Sequence, residues 1–291
     1  MSTVTVLGLG TMGSKIAQAI AEADHQVRGF DPVPAARAAA AAGGVDVCDS
    51  AADAITGAEV IVLSLPRPEH VLEAVNGPLG SAAAGTVVAD LSTIDPGTAR
   101  RAAELLTERG VDYVDAPVLG RPDKIGKWTL PAGGTKSACA QVTAVLQGTA
   151  AAKVTRVGDV GAGSVVKVLN NLMFGAINSI TAEALAACEL AGVDPMVFVQ
   201  TVADSGAATV SNLFKELAPR MVAGDYEPAF TLALLAKDNR LALQLADEVG
   251  AHAPMAQTID KINSDATELG HQDQDSGVVL ELYRSRARKT V

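Results

Sequence analysis

Two sets of residues in this chain have the types and spacing to do chemistry. The first is the turn Gly8-Leu9-Gly10-Thr11-Met12-Gly13, which follows the β-branched run Val4-Thr5-Val6-Leu7 and leads into Ser14 to Ile20, a stretch with helical apolar spacing. In such a turn Gly8 permits the tight bend, Gly10 lets the backbone approach a pyrophosphate, and Gly13 lets helix and strand pack closely, with Leu9, Thr11 and Met12 completing the loop. The phosphates would face a helix N-terminus, where free N–H groups and the macrodipole favour negative charge. A second strand-like run, His25 to Phe30, ends at Asp31. That acid lies near the roughly 20-residue offset expected of a group that hydrogen-bonds the adenosine ribose, which favours NAD and disfavours the 2′-phosphate of NADP. Arg28 and Arg37 lie close enough in sequence to weaken the preference and leave NADP open.

The second set lies on one long apolar stretch, Gly163 to Ala191, where Lys167, Asn171 and Asn178 fall on one helical face. A lysine and two amides on such a helix cost desolvation energy unless they find partners. They could serve packing alone, the lysine reaching solvent and the amides tying loops together. Beside a nicotinamide, a desolvated lysine becomes a proton donor and acceptor.

The elements that must hold these residues alternate. Strand-like runs at 60–65, 86–91 and 112–116 are separated by helical stretches at 34–42, 51–56, 70–75 and 97–109. Repeated βα units with short loops predict an α/β, doubly wound, largely parallel sheet. From about Gly161 the pattern turns helical, predicting a sheet domain over 1–160 and an all-α domain over 161–291 that begins with the long helix.

Composition bounds the function. With 291 residues, 48% hydrophobic and 19% charged, the chain is an ordinary globular one with room for two cores. Only 3% is aromatic and the net charge is −10, which argues against nucleic acid and a membrane belt as partners. Cys48, Cys139 and Cys188 form no paired motif, so neither a disulfide framework nor a metal site is expected. A first strand starting near residue 4 leaves no room for a signal peptide, and a cytoplasmic location is expected. Arg284 to Lys289 form a basic tail, read as a solvated helix end.

Along its whole length the chain resembles the β-hydroxyacid dehydrogenases, the group of 3-hydroxyisobutyrate dehydrogenase and tartronate semialdehyde reductase, related to 6-phosphogluconate dehydrogenase. The resemblance rests on Gly8 to Gly13, on Asp90-Leu91-Ser92-Thr93-Ile94-Asp95-Pro96, on Asp115-Ala116-Pro117-Val118, on Gly161-Ala162-Gly163 with Lys167-Val168-Leu169-Asn170-Asn171, and on Lys237-Asp238-Asn239-Arg240. It implies a Rossmann-type sheet followed by a helical domain. It also implies Lys167 as the catalytic residue and Asn171 as a substrate contact. Leu65, Pro66 and Thr93 would line the nicotinamide side, Lys237 would reach cofactor or substrate, and Ser92, Leu119 and Gly120 would adjoin the substrate. A homodimer or higher even oligomer is implied as well.

One departure bears on specificity. Where the family usually reads Ser-Gly-Gly after Asp-Ala-Pro-Val, this chain has Leu119-Gly120-Arg121. Leu119 removes a hydroxyl, while Arg121 adds a planar cation able to grip a carboxylate, sulfonate or phosphate with two hydrogen bonds. This is similar to the branch containing sulfolactaldehyde reductase, and it points to a small anionic substrate. Imine reductases share the implied fold but generally carry another residue in place of Lys167. A non-catalytic dinucleotide-binding module would not need Lys167 and Asn171 together.

Overall fold

The computed structural model describes residues 1–206, 209 and 211–287. Arg288 and Lys289 of the basic tail lie outside the described residues. The chain divides into two compact units, Met1–Lys167 and Val168–Val291.

In the first unit, β1 (Thr3–Leu7), α1 (Gly13–Ala21), β2 (Gln26–Phe30), α2 (Pro34–Ala42), β3 (Asp46–Val47), α3 (Ala51–Ile55), β4 (Val60–Leu63), α4 (Pro68–Asn76), β5 (Val87–Asp90), α5 (Pro96–Thr107) and β6 (Asp112–Asp115) alternate in the expected order, except that β3 is an addition, its two residues being too few to show a period. Then follow β7 (Trp128–Gly133), α6 (Lys136–Leu146), β8 (Ala151–Gly158) and the start of α7 (Ala162–Leu190). The sheet has eight strands in the order β3-β2-β1-β4-β5-β6-β7-β8. All pairings are parallel except β6 with β7, which meet antiparallel at Asp115 and Gly133.

The inner strands read as continuous apolar runs because both of their faces are covered. In β4, Val60 and Val62 join a core with Val4, Val6, Ile16, Ile20 and Trp128, while Ile61 and Leu63 join another with Val71, Val75, Leu79 and Leu106. The order reversal beside β1 places the carboxyl ends of β1, β2, β4 and β5 around one crevice, where ligands of such sheets bind.

Two strands and a helix lie beyond the pattern read from sequence, which stops at Ala116. β7 contains Pro131, which cannot donate to a ladder, and is buried at five of its six positions. β8 is the edge strand, and Lys153 and Arg156 on it break the apolar run. Neither segment alternates, so period alone could not reveal them.

The second unit holds the remainder of α7 and α8 (Pro195–Asp204), α9 (Asn212–Ala223), α10 (Leu232–Glu248), α11 (Pro254–Glu268) and α12 (Val279–Ala287). Asp194, Ser211 and Thr231 cap α8, α9 and α10 by accepting from backbone N–H groups. Leu185, Val199, Phe214, Leu217, Met221, Leu232 and Leu280 form its core. Among the described residues this unit has no strand, only an isolated bridge between Thr231 and Asp275. α7 runs unbroken for 29 residues, about 44 Å. Val166, Leu169, Met173 and Ile180 leave an apolar stripe exposed along it. No helix among the described residues is long and apolar enough to cross a membrane.

Candidate active site

The glycine turn is held by backbone packing. Gly8 has φ +92° and its N–H donates to the Phe30 carbonyl at 2.9 Å, tying the turn to β2. A Cβ on Gly8 would lie 2.3 Å from the Ser64 carbonyl oxygen, and one on Gly13 only 1.8 Å from that of Gly8. Gly10 differs, since a Cβ there would meet nothing within 4 Å. The open side of the turn is therefore at Gly10, where a ligand's phosphates would need the room. Thr11 is exposed and Met12 half-buried, and Leu9 is buried against Gly29. Leu9 thus offers its backbone rather than its side chain. Met12, the residue before α1, makes no side-chain cap, and the first turn of the helix carries no acid. That end of α1 is free of internal anions and fits a pyrophosphate.

Asp31 follows directly on β2. Its Oδ2 accepts from Leu9 N–H and its Oδ1 from Val33 N–H, both at 2.8 Å. Each oxygen keeps lone-pair capacity for a ribose hydroxyl. The two arginines that sequence spacing set beside Asp31 part company. Arg28 donates to the carbonyls of Asp53 and Thr56 at the end of α3. Arg37 donates to the Asp31 carbonyl at 2.7 Å and lies over the Phe30 ring.

At the ends of β4 and β5, Leu65 N–H donates to Ser92 Oγ at 2.9 Å, and Ser92 N–H to Asp90 Oδ1 at 2.8 Å. Tyr113 donates its hydroxyl to Asp90 Oδ2 at 2.6 Å. Burial raises the Asp90 carboxyl above the ordinary range, against the hydrogen bonds from Ser92 and Tyr113. Ser92 is itself buried, so its hydroxyl fixes the backbone of Leu65. Pro66 is exposed and Thr93 half-buried beside them.

β6 ends at Asp115, which roots α7. Gly161 N–H donates to its Oδ1 at 2.8 Å and Ser164 N–H to its Oδ2 at 2.7 Å. These bonds satisfy N–H groups at the start of the helix, and Lys167 follows one turn later. Burial pushes the Asp115 carboxyl up to about 6. Lys167 is half-buried.

Leu119, Gly120 and Arg121 lead from β6 toward β7. Leu119 and Thr129 exchange backbone hydrogen bonds at 3.0 and 3.3 Å. Gly120 lies on the edge of the Trp128 indole and Arg121 is half-buried. A hydrogen bond from Lys124, with the charges of Lys124 and Arg121, holds the neighbouring Asp123 carboxyl below its ordinary value.

In the second unit, Asn171 Nδ2 donates to Asp238 Oδ2 at 2.5 Å, and Lys237 Nζ lies 3.0 Å from Asp238 Oδ1. Asp238 therefore joins Asn171 and Lys237. Asn178 is fully buried and donates to the Ser276 carbonyl at 2.7 Å, a loop tie within the helical core. Three partners escaped the sequence reading: Asp115 as the anchor of α7, Asp238 as the bridge, and Trp128 under the Arg121 loop. Asp115 and Asp238 stood inside recognised blocks, but nothing local in the sequence names what they hold.

Comparison with known proteins agrees on both halves. Residues 3–158 match the NAD binding domain of 6-phosphogluconate dehydrogenase, and residues 161–283 match the NAD-binding family of NADP-dependent 3-hydroxyisobutyrate dehydrogenase. A 3-hydroxyisobutyrate dehydrogenase of Pseudomonas aeruginosa is 32% identical, over 98% of this chain and 100% of the relative. The 3-sulfolactaldehyde reductase of Escherichia coli is 30% identical over 100% and 98%. The structure of Mycobacterium tuberculosis 3-hydroxyisobutyrate dehydrogenase with L-serine superimposes with a TM-score of 0.89 at 31% identity, covering 98% of this chain and 99% of that one. Both domain models and full-length relatives thus converge, and the chain belongs to the β-hydroxyacid dehydrogenase family, NAD(P)-dependent oxidoreductases acting on hydroxyl groups.

Proposed function

We propose that this protein interconverts a small anionic 3-hydroxy acid and its semialdehyde, with NAD preferred as cofactor and Lys167 as the proton carrier. The observation that carries this reading is that the start of α7, one turn before Lys167, is anchored on Asp115 at the end of β6, a strand of the same sheet whose β1 leads into the glycine turn. A lysine so rooted keeps a fixed relation to whatever the turn binds, and positioning of this kind is a large part of catalysis. When bound, the nicotinamide supplies hydride acceptance and return. Oxidation also frees a proton from the substrate oxygen. The neutral Lys167 amine takes that proton, and its ammonium gives it back in reduction. Asn171, oriented by Asp238, would hold the reacting oxygen, and Lys237 would lie on the cofactor or substrate side.

Arg121 would bind the charged end of the substrate. Its fork suits a carboxylate or a sulfonate, and the Escherichia coli relative acts, by its name, on a sulfonated aldehyde. Ser92, Leu119 and Gly120 would shape the substrate side, with Leu65, Pro66 and Thr93 on the nicotinamide side. The functional division we propose falls between residues 160 and 161, ahead of α7. The exposed stripe of Val166, Leu169, Met173 and Ile180 supports a homodimer or higher even oligomer, because an apolar strip of this kind gains by being covered. The cytoplasm is the proposed location.

The test is Lys167→Ala. Turnover should fall by roughly a hundredfold or more, as general acid–base catalysis is lost, while calorimetric NAD affinity stays within about twofold. A variant that keeps most of its turnover contradicts the assignment.

A further inference from the structure

The loop that carries Arg121 is gripped from below at two consecutive carbonyls. Trp128 Nε1–H donates to the Arg121 carbonyl at 2.7 Å, and Lys15 Nζ donates to the Pro122 carbonyl at 3.2 Å. Trp128 begins β7 and is fully buried, while Lys15 lies in the first turn of α1, two residues after Gly13. The chain is pressed onto the indole, because a Cβ on Gly120 would lie 2.1 Å from Trp128 Cδ1. Only glycine permits that approach, and the Leu119–Thr129 pair closes the base of the loop. The far side is tied too, by Gly126 N–H donating to the Ala150 carbonyl at 2.8 Å.

We propose that Trp128 and Lys15 are positioning residues that lock the backbone of Arg121 and Pro122, and so set how strongly the enzyme prefers anionic over neutral substrates. The inference rests on the reading of Arg121 as the anion-binding residue. An arginine fork gains its bidentate geometry only if its backbone is held, since each rotamer left free costs entropy when the anion binds. Two donors on adjacent carbonyls hold the two peptide units on either side of Pro122, and so limit both shift and rotation of the chain at Arg121. Neither side chain needs to touch the substrate. Lys15 also couples the loop to α1, so the helix that starts at the glycine turn and the loop that carries Arg121 are braced against each other.

The experiment compares Trp128→Phe, Lys15→Met and Arg121→Ala in the NAD-saturated enzyme, with 3-hydroxypropanoate as the anionic probe and propane-1,3-diol as the neutral one. Arg121→Ala should raise KM for the anion by about thirtyfold or more and leave that for the diol nearly unchanged. Trp128→Phe keeps the aromatic packing but loses the donor. It and Lys15→Met should each raise KM for the anion by about fivefold to tenfold, with kcat, NAD affinity and the diol's KM within about twofold. If Trp128→Phe folds poorly, Lys15→Met still decides, because its side chain is only half-buried. A loss in Lys15→Met that falls on NAD affinity, or equally on both probes, overturns the inference. If Arg121→Ala acts as expected and the other two variants do not, the inference fails while the reading of Arg121 stands. If Arg121→Ala leaves discrimination unchanged, the reading beneath it fails and the inference goes with it. Trp128 is the one tryptophan of the chain, so its emission reports this loop directly. Lys15→Met, which removes one tie of the loop, should raise the acrylamide quenching of that emission, and quenching equal to wild type counts against the lock.

Discussion

At the end of β2 the Asp31 carboxylate accepts two backbone N–H groups, and at the end of β6 the Asp115 carboxylate does the same. The surroundings make the two sites opposites. Asp31 sits beside a turn whose Gly10 faces open space. Asp115 is closed in by glycines: a Cβ on Gly133 would lie 2.4 Å from its Oδ1, and one on Gly163 would lie 2.3 Å from its carbonyl oxygen. The same pairing of carboxylate and peptide thus borders open space in one place and attaches a helix rigidly in the other. Glycine decides which, by leaving room outside the chain at Gly10 and by letting chain meet chain at Gly163.

Substitutions that add one side chain to each region should break this comparison in different observables. The largest effect is expected of Gly10→Val. It places atoms where the pyrophosphate would approach, so NAD affinity should fall by about a hundredfold, roughly 2.7 kcal/mol, with the urea midpoint unchanged. Isothermal titration and denaturation read the two quantities separately, and a variant that loses stability but keeps its NAD affinity would refute the role of Gly10. Gly163→Ala should do the reverse. Its Cβ cannot fit against the Asp115 and Pro131 carbonyls, so α7 must shift at a cost of about 1–3 kcal/mol in unfolding free energy. A wild-type midpoint for this variant would show that the root of α7 yields easily.

Asp31→Ser sharpens the contrast at smaller scale. Losing the charge beside the ribose should narrow the ratio of NAD to NADP efficiency by about tenfold, with Arg37, which already donates to the Asp31 carbonyl, the nearby cation able to profit. An unchanged ratio would mean that cofactor choice lies elsewhere. The smallest effect concerns pH. Asp115 binds its proton more tightly in the folded chain, about 6 against 3.8, so its contribution to stability is full below 3.8 and is lost as pH rises through about 6. Burial of Asp90 acts in the same direction. In Asp115→Asn this part of the slope should vanish, and the difference in urea midpoint between variant and wild type should change across that window. A constant difference would place the Asp115 titration outside it.

Much of this was legible before any coordinates because the signals are local. The glycine turn, Asp31 and the length of α7 follow from steric rules and apolar spacing acting over a few residues, and α7 is found at Ala162–Leu190 against the expected 163–191. What escaped is joined over long distances in sequence. Asp115 and Ser164 are 49 residues apart, and Asn171 and Asp238 are 67 apart. Spacing could not tell that Arg28 turns to α3 while Arg37 stays by Asp31, because both lie within six residues of that acid. Nor could it separate Asn178 from Asn171. Both lie on one helix, but one meets a loop carbonyl and the other a carboxylate.

Steady-state NADH formation reads the proposed reaction itself. The panel is a set of short 3-hydroxy acids bearing a carboxylate or a sulfonate, with a neutral diol of equal length. NAD-linked oxidation of at least one anionic member is expected, with kcat/KM about thirtyfold or more above the diol. Absence of turnover with every hydroxy acid, or a diol oxidised as efficiently as the best anion, would contradict it.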